Sequence, residues 1–66
     1  MDINSIIEIH TFDDGNQRFK LYNNKWIIKE FKYNKSKAKL CNVDDNNIII
    51  NSISTWKLKY NIIYNG

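Results

Sequence analysis

Apolar and polar residues alternate in short runs along this chain, with the two-residue period of a β-strand rather than the 3.6-residue period of a helix. In residues 3–12, Ile7 and Ile9 share one face while Glu8 and His10 occupy the other. In residues 17–22, Phe19 and Leu21 oppose Arg18, Lys20 and Tyr22. Residues 25–33 concentrate strand-favouring types in Trp26, Ile27, Ile28, Phe31 and Tyr33. The apolar face changes side between Ile28 and Phe31, which predicts a bulge or sharp bend there. In residues 37–43, Ala38 and Leu40 oppose Lys37, Lys39 and Cys41. Residues 48–53 open with Ile48, Ile49 and Ile50, apolar on both faces as in a central strand. Trp56, Leu58 and Tyr60 then alternate with Lys57 and Lys59, and Ile62, Ile63 and Tyr64 prolong the segment.

Turn residues separate these runs. Asp13-Asp14-Gly15-Asn16 has the chemistry of a hairpin loop, because Asp-Gly supplies the positive φ that such turns need. Asn23-Asn24 is suited to the same role, since Asn tolerates the left-handed region. Asn34 to Lys37 and Asp44 to Asn47 punctuate the second half. The pattern predicts one domain over residues 1–66, all-β: a small, five- to six-stranded, strongly bent antiparallel sheet or barrel of SH3-like or OB-like type. The alternative is α+β, with a helix within residues 24–41. Ile27, Ile28 and Phe31 would then form its apolar face, Asn24 its cap, and Lys32, Lys35, Lys37 and Lys39 its exposed surface.

Length and composition narrow the picture further. A chain of 66 residues with one cysteine, Cys41, has no internal disulfide, and a single histidine, His10, offers no zinc site. No apolar run approaches the ~18–20 residues of a membrane span. Asp2 stands where a secretion leader carries positive charge, so the expected location is the cytoplasm. Ile, Asn and Lys fill 12, 11 and 9 positions, a bias toward A/T-rich codons that is shared by many small accessory proteins of phages and mobile elements. Some of the lysines therefore reflect codon usage and solubility rather than a binding role.

The formal net charge of +3 hides a strong asymmetry. Residues 1–16 carry −4, residues 17–39 carry +7, residues 40–55 carry −2 and residues 56–66 carry +2. A basic segment in an otherwise mildly acidic chain bears on partners rather than on fold.

Catalytic chemistry is thinly represented. His10 lies on a polar strand face among acids, as a solvated surface histidine does. Cys41 would serve as a nucleophile only with His10 beside it in space, and free Cys is most often a small buried hydrophobe. The acidic pairs Asp13-Asp14 and Asp44-Asp45 lack calcium-loop spacing and fall in turns, where Asp is favoured for its local hydrogen bonds. A non-catalytic protein is expected, with no cofactor and no metal.

What rises above background is a basic and aromatic constellation. Read as strands, Arg18, Lys20 and Tyr22 share one outer face. Lys37 and Lys39 share another, Lys57 and Lys59 a third, and Lys29, Lys32 and Tyr33 belong to the strand between the first two. Tyr22 and Tyr33 are the aromatics expected at the surface, with Trp26 and Trp56 in the core. Two function classes follow. The first is an accessory or inhibitor-type module that docks on a larger protein through this basic surface, as part of a nucleic-acid-handling complex. The second is a small barrel that itself binds single-stranded nucleic acid, lysines tracking phosphates and exposed tyrosines stacking bases. Open strand edges rich in Ile permit a homodimer or larger homo-oligomer in either case.

Overall fold

The computed structural model describes residues 1–12 and 25–66. They form five strands: β1 (Ile6–Phe12), β2 (Lys25–Lys32), β3 (Lys37–Asn42), β4 (Ile49–Ser54) and β5 (Leu58–Tyr64). A single 3-10 turn, Thr55–Lys57, links β4 to β5. All neighbouring strands are antiparallel, in the order β4-β3-β2-β1-β5. This is a four-strand meander whose last strand returns to lie beside the first. Among the described residues no ladder joins β4 to β5, so the sheet is open rather than closed into a barrel.

The all-β expectation therefore holds and the α+β alternative does not. Residues 25–32 and 37–42, which carried the helical reading, are β2 and β3, joined by a turn over residues 33–36. Ile27, Ile28 and Phe31 do not share one face, as a helix would require. Ile28 and Phe31 join the core, whereas Ile27 pairs with Cys41 on the opposite face. The anticipated strand over residues 17–22 and the turns at 13–16 and 23–24 lie outside the described residues.

The core collects residues from every strand, at alternate positions in β1, β2 and β3. Ile7 and Ile9 come from β1, Trp26 and Ile28 from β2, Ala38 and Leu40 from β3, Ile50 and Ile53 from β4, and Leu58 from β5. Met1, Phe31, Ile48 and Tyr60 pack at its edge. Burying each large aliphatic or aromatic side chain is worth about 1.5–3 kcal/mol, and this is what holds the strand registers against slippage. Trp26 is fully buried, as expected.

Two expectations about packing fail. The segment around Ile48–Ile53 is not a central strand: β4 is an edge of the sheet and Ile49 is 41% exposed. Trp56 is not in the core either, because it sits in the 3-10 turn and is 74% exposed. Its apparent alternation with Leu58 and Tyr60 is broken because the backbone leaves the strand conformation before Leu58.

The bend anticipated between Ile28 and Phe31 is a bulge. Ile28 pairs with Leu40 and Glu30 with Lys39, leaving Lys29 as the extra residue. On the other side of β3, Ala38 pairs with Ile53 and Leu40 with Ile50, so Lys39 also faces the two residues Asn51 and Ser52. Lys39 is thus opposed by two residues on each flank. Such irregularities increase local twist and re-aim side chains.

Polar side chains fix the chain ends and the β3–β4 turn. Buried Asn42 accepts the amides of Asp44 (2.9 Å) and Asp45 (3.1 Å) through its Oδ1, and Asp45 accepts the amide of Asn47 at 3.0 Å. Asp45 thus serves the turn with its carboxylate, as the turn reading expects, whereas Asp44 enters it through its backbone amide. Ser5, also fully buried, accepts the Asp2 amide (3.0 Å) and the Gly66 amide (3.2 Å) and donates to Asn65 Oδ1 at 3.2 Å.

Candidate functional site

Because Ala38 and Leu40 point into the core, Lys37, Lys39 and Cys41 lie on the opposite face of β3. The register sets Lys37 against Lys32 and Lys39 against Glu30, with Lys29 beside it in the bulge. Four lysines from two adjacent strands thus gather on one face with a single acid among them. Like charges directly opposite are unfavourable, so this arrangement needs compensation. Lys37 donates to Ser54 Oγ at 2.8 Å, and Lys32 Nζ lies 3.9 Å from Glu30 Oε1. The second contact is solvent-exposed and contributes little.

At one end of this face two connections meet. Thr55 donates its amide to the Ser36 carbonyl at 3.0 Å and its hydroxyl to the Lys35 carbonyl at 2.8 Å. The 3-10 turn is thereby docked on the turn over residues 33–36. Each carries one large exposed aromatic: Tyr33 is 76% exposed and Trp56 74%. Lys57 Nζ stands 5.2 Å from the Trp56 ring centroid, and Lys35 Nζ 5.3 Å from that of Phe31. Both are cation–π distances. Lys35 also meets Asp2 Oδ1 at 3.3 Å. The 33–36 turn is strained, since Tyr33 (φ 54°), Asn34 (φ 56°) and Lys35 (φ 68°) are all left-handed. Ser36 closes it by donating its hydroxyl (2.7 Å) and its amide (3.1 Å) to the Tyr33 carbonyl.

Of the residues anticipated as a binding surface, the fold brings together Lys29, Lys32, Lys37 and Lys39 on one face, with Tyr33 in the turn after β2 and Lys57 in the 3-10 turn docked on it. Tyr33 is exposed as expected. Lys59 is separated from them: it pairs with Thr11 at the far side of the sheet, beyond β1. Arg18, Lys20 and Tyr22 lie outside the described residues. Sequence reasoning missed Trp56, and the signal available was its place between Thr55 and Lys57, a polar context unlike that of Trp26 between Lys25 and Ile27.

Farther along the same face lies an open cavity of about 390 Å³, lined by Lys29, Lys39, Cys41, Asn46 and Ile49. The Cys41 thiol, buried outside the core cluster, points to the Asn46 carbonyl at 3.4 Å and to its Oδ1 at 3.7 Å.

His10 and Cys41 do not meet. His10 is exposed on β1, with Nε2 3.6 Å from Glu8 Oε1, and β2 separates β1 from the strand bearing Cys41. Among the described residues no group of three His, Cys, Asp or Glu side chains is placed to hold a metal ion, and no helix is long and apolar enough to cross a membrane. No protein-family model matches the chain, and comparison with the curated proteins and with the solved structures finds no match, so residues and geometry alone carry the functional reading.

Proposed function

We propose that this chain is a non-catalytic protein that binds single-stranded nucleic acid along the outer face of β2 and β3. The phosphates follow Lys29, Lys32, Lys37 and Lys39, and bases stack on Tyr33 and Trp56. The observation that carries this reading is the docking of the 3-10 turn on the 33–36 turn, which joins two turns, each bearing an exposed aromatic, at the end of β2 and β3. Lysines alone are explained by solubility; lysines ending in two exposed rings are the combination that sequence-tolerant single-strand binding uses. Each stacked base is worth about 1–3 kcal/mol, so two platforms suffice for measurable affinity when combined with phosphate contacts. The cytoplasm is the compartment that fits this role.

The test is titration of labelled single-stranded RNA and DNA at two salt concentrations. Affinity should fall steeply with salt, because each neutralised phosphate releases counterions. Absence of binding at low salt would remove the proposal.

A second reading, docking on a larger protein as an accessory or inhibitor-type module, is favoured by a different surface. Edge strand β5 exposes Ile62, Ile63 and Tyr64, and its uncharged stretch after Lys59 invites pairing with another chain, a second copy of this one included. Pull-down from the source cell, together with solution mass at micromolar concentration, tests it: a lone monomer would end it.

A further inference from the structure

The cavity between β2 and β4 has an unusual balance of polar groups. Lys29 comes from the bulge of β2, Lys39 from the centre of β3, and Asn46 from the β3–β4 turn, while Cys41 and Ile49 provide an apolar floor. Lys29 and Lys39 form no ion pair or hydrogen bond among the described residues. The carbonyl groups of Asn46 are approached by the Cys41 thiol, which leaves its side-chain NH₂ as the free polar group there. The free side-chain groups at the rim are therefore donors: two ammonium groups and one amide. Among the described residues no acidic side chain lines the cavity.

Such a lining suits an anion, and the volume says which kind. About 390 Å³ lies at the lower end of the range for small-molecule sites and far exceeds a bare phosphate. The ligand must then carry an apolar, flat body beside its charge, with acceptor atoms on its edge. A nucleoside monophosphate has all three: a phosphate for the two ammonium groups, a base to lie over Ile49 and Cys41, and base-edge acceptors for the Asn46 amide.

We propose that this cavity is the seat of one nucleoside monophosphate unit, gripped through its phosphate by Lys29 and Lys39. The proposal rests on the single-strand reading for the unit's natural source, a nucleotide within a strand, but the same chemistry admits a free nucleotide. The bulge at Lys29 sets both Lys29 and Glu30 against Lys39, and it is Lys29 rather than Glu30 that lines the cavity with Lys39.

The experiment titrates the protein with the four common nucleoside 5′-monophosphates, the matching nucleosides and inorganic phosphate, following the backbone amides of Cys41 and Ile49 by NMR. A monophosphate should shift both signals and bind at least tenfold more tightly than its nucleoside or inorganic phosphate. Lys39→Gln and Lys29→Gln should each weaken it about three- to tenfold, with the thermal midpoint unchanged as the folding control. In parallel, a labelled single strand is titrated against the same variants. Monophosphate binding with no strand binding upholds the cavity with a free nucleotide as its ligand and removes the single-strand reading. Strand binding that ignores Lys39→Gln, with no monophosphate shift at Cys41 or Ile49, overturns the cavity proposal and leaves the other standing. Inorganic phosphate binding as tightly as the monophosphate also overturns it, because the apolar floor would then contribute nothing.

Discussion

The hydroxyl of Thr55 donates to the carbonyl of Lys35 at 2.8 Å, joining two turns that are 20 residues apart in sequence. Lys35 is a left-handed residue, so the bond fixes the orientation of a strained peptide as well as the distance between the turns. Thr55→Val keeps the side-chain shape and removes the donor. The expected cost is about 0.5–1.5 kcal/mol in chemical denaturation, and the strand affinity should fall with it because Trp56 loses its fixed position relative to Tyr33. Unchanged affinity in a destabilised variant would mean that the two rings act separately or not at all.

Tyr33 offers a cleaner separation of stability from function. Its ring is exposed, so truncation forfeits little burial, while its backbone occupies a region that costs a non-glycine residue roughly 1 kcal/mol. Tyr33→Gly should leave the fold as stable as before or more stable by about 1 kcal/mol. Strand binding should nevertheless weaken about tenfold, in line with loss of one stacking platform. Melting curves and binding titrations on the same preparation measure both. A variant that is more stable and binds equally well would remove Tyr33 from the site.

The strand pattern was readable where neighbours along the chain dictate it. Ile7 and Ile9, Ala38 and Leu40 alternate with polar partners and occupy the core, and the phase change between Ile28 and Phe31 marks the bulge at Lys29. Position within the sheet was not readable. Ile48 to Ile50 look fully buried by composition, yet which strand forms an edge depends on pairings between distant segments, and among the described residues β4 has a partner on one side only. Trp56 misled for a related reason: two-residue spacing to Leu58 mimics a strand face, while the 3-10 turn that exposes it is settled by Thr55 reaching back to Lys35 and Ser36. The lysine face was visible as alternation in Lys37 and Lys39, but its union with Lys29 and Lys32, and the exclusion of Lys59, follow from strand order alone.

Ser5 holds three partners from two chain segments with one oxygen, accepting the amides of Asp2 and Gly66 and donating to Asn65. It is fully buried, so Ser5→Ala strands polar groups that water reaches poorly. The expected loss is about 1–3 kcal/mol by chemical denaturation. Gly66→Ala acts on the same junction from the other side. A Cβ there would stand 2.5 Å from the Asn4 carbonyl carbon and 2.8 Å from the Ser5 nitrogen, so the segment must move away and release its bond to Ser5. The two substitutions share one junction, and their double variant should cost less than the sum of the singles.

The two tryptophans make binding visible without a label. Trp26 is fully buried and Trp56 is 74% exposed, so a soluble quencher should reach only part of the emission. Addition of a single strand should quench or shift the accessible part and protect it from the quencher, leaving the Trp26 component as it was. Trp56→Phe removes the responsive component and should leave stability within about 0.5 kcal/mol, as surface substitutions do. A response that persists in Trp56→Phe would relocate the contact to the neighbourhood of Trp26.

Salt dependence distinguishes the lysines of the face from those elsewhere. On single strands the logarithm of affinity falls with the logarithm of salt by about 0.7 per neutralised phosphate. Lys37 lies on the β2–β3 face beside Lys32, whereas Lys59 pairs with Thr11 at the opposite side of the sheet. Both are single positive charges in a chain of formal charge +3, so a diffuse attraction to the whole molecule would make their removal equivalent. Binding along the proposed face makes them differ: Lys37→Gln should reduce the slope by about 0.7 and Lys59→Gln should leave it unchanged. Equal slopes for the two variants would show that the nucleic acid responds to net charge, and the lysine face would lose its claim to be a site.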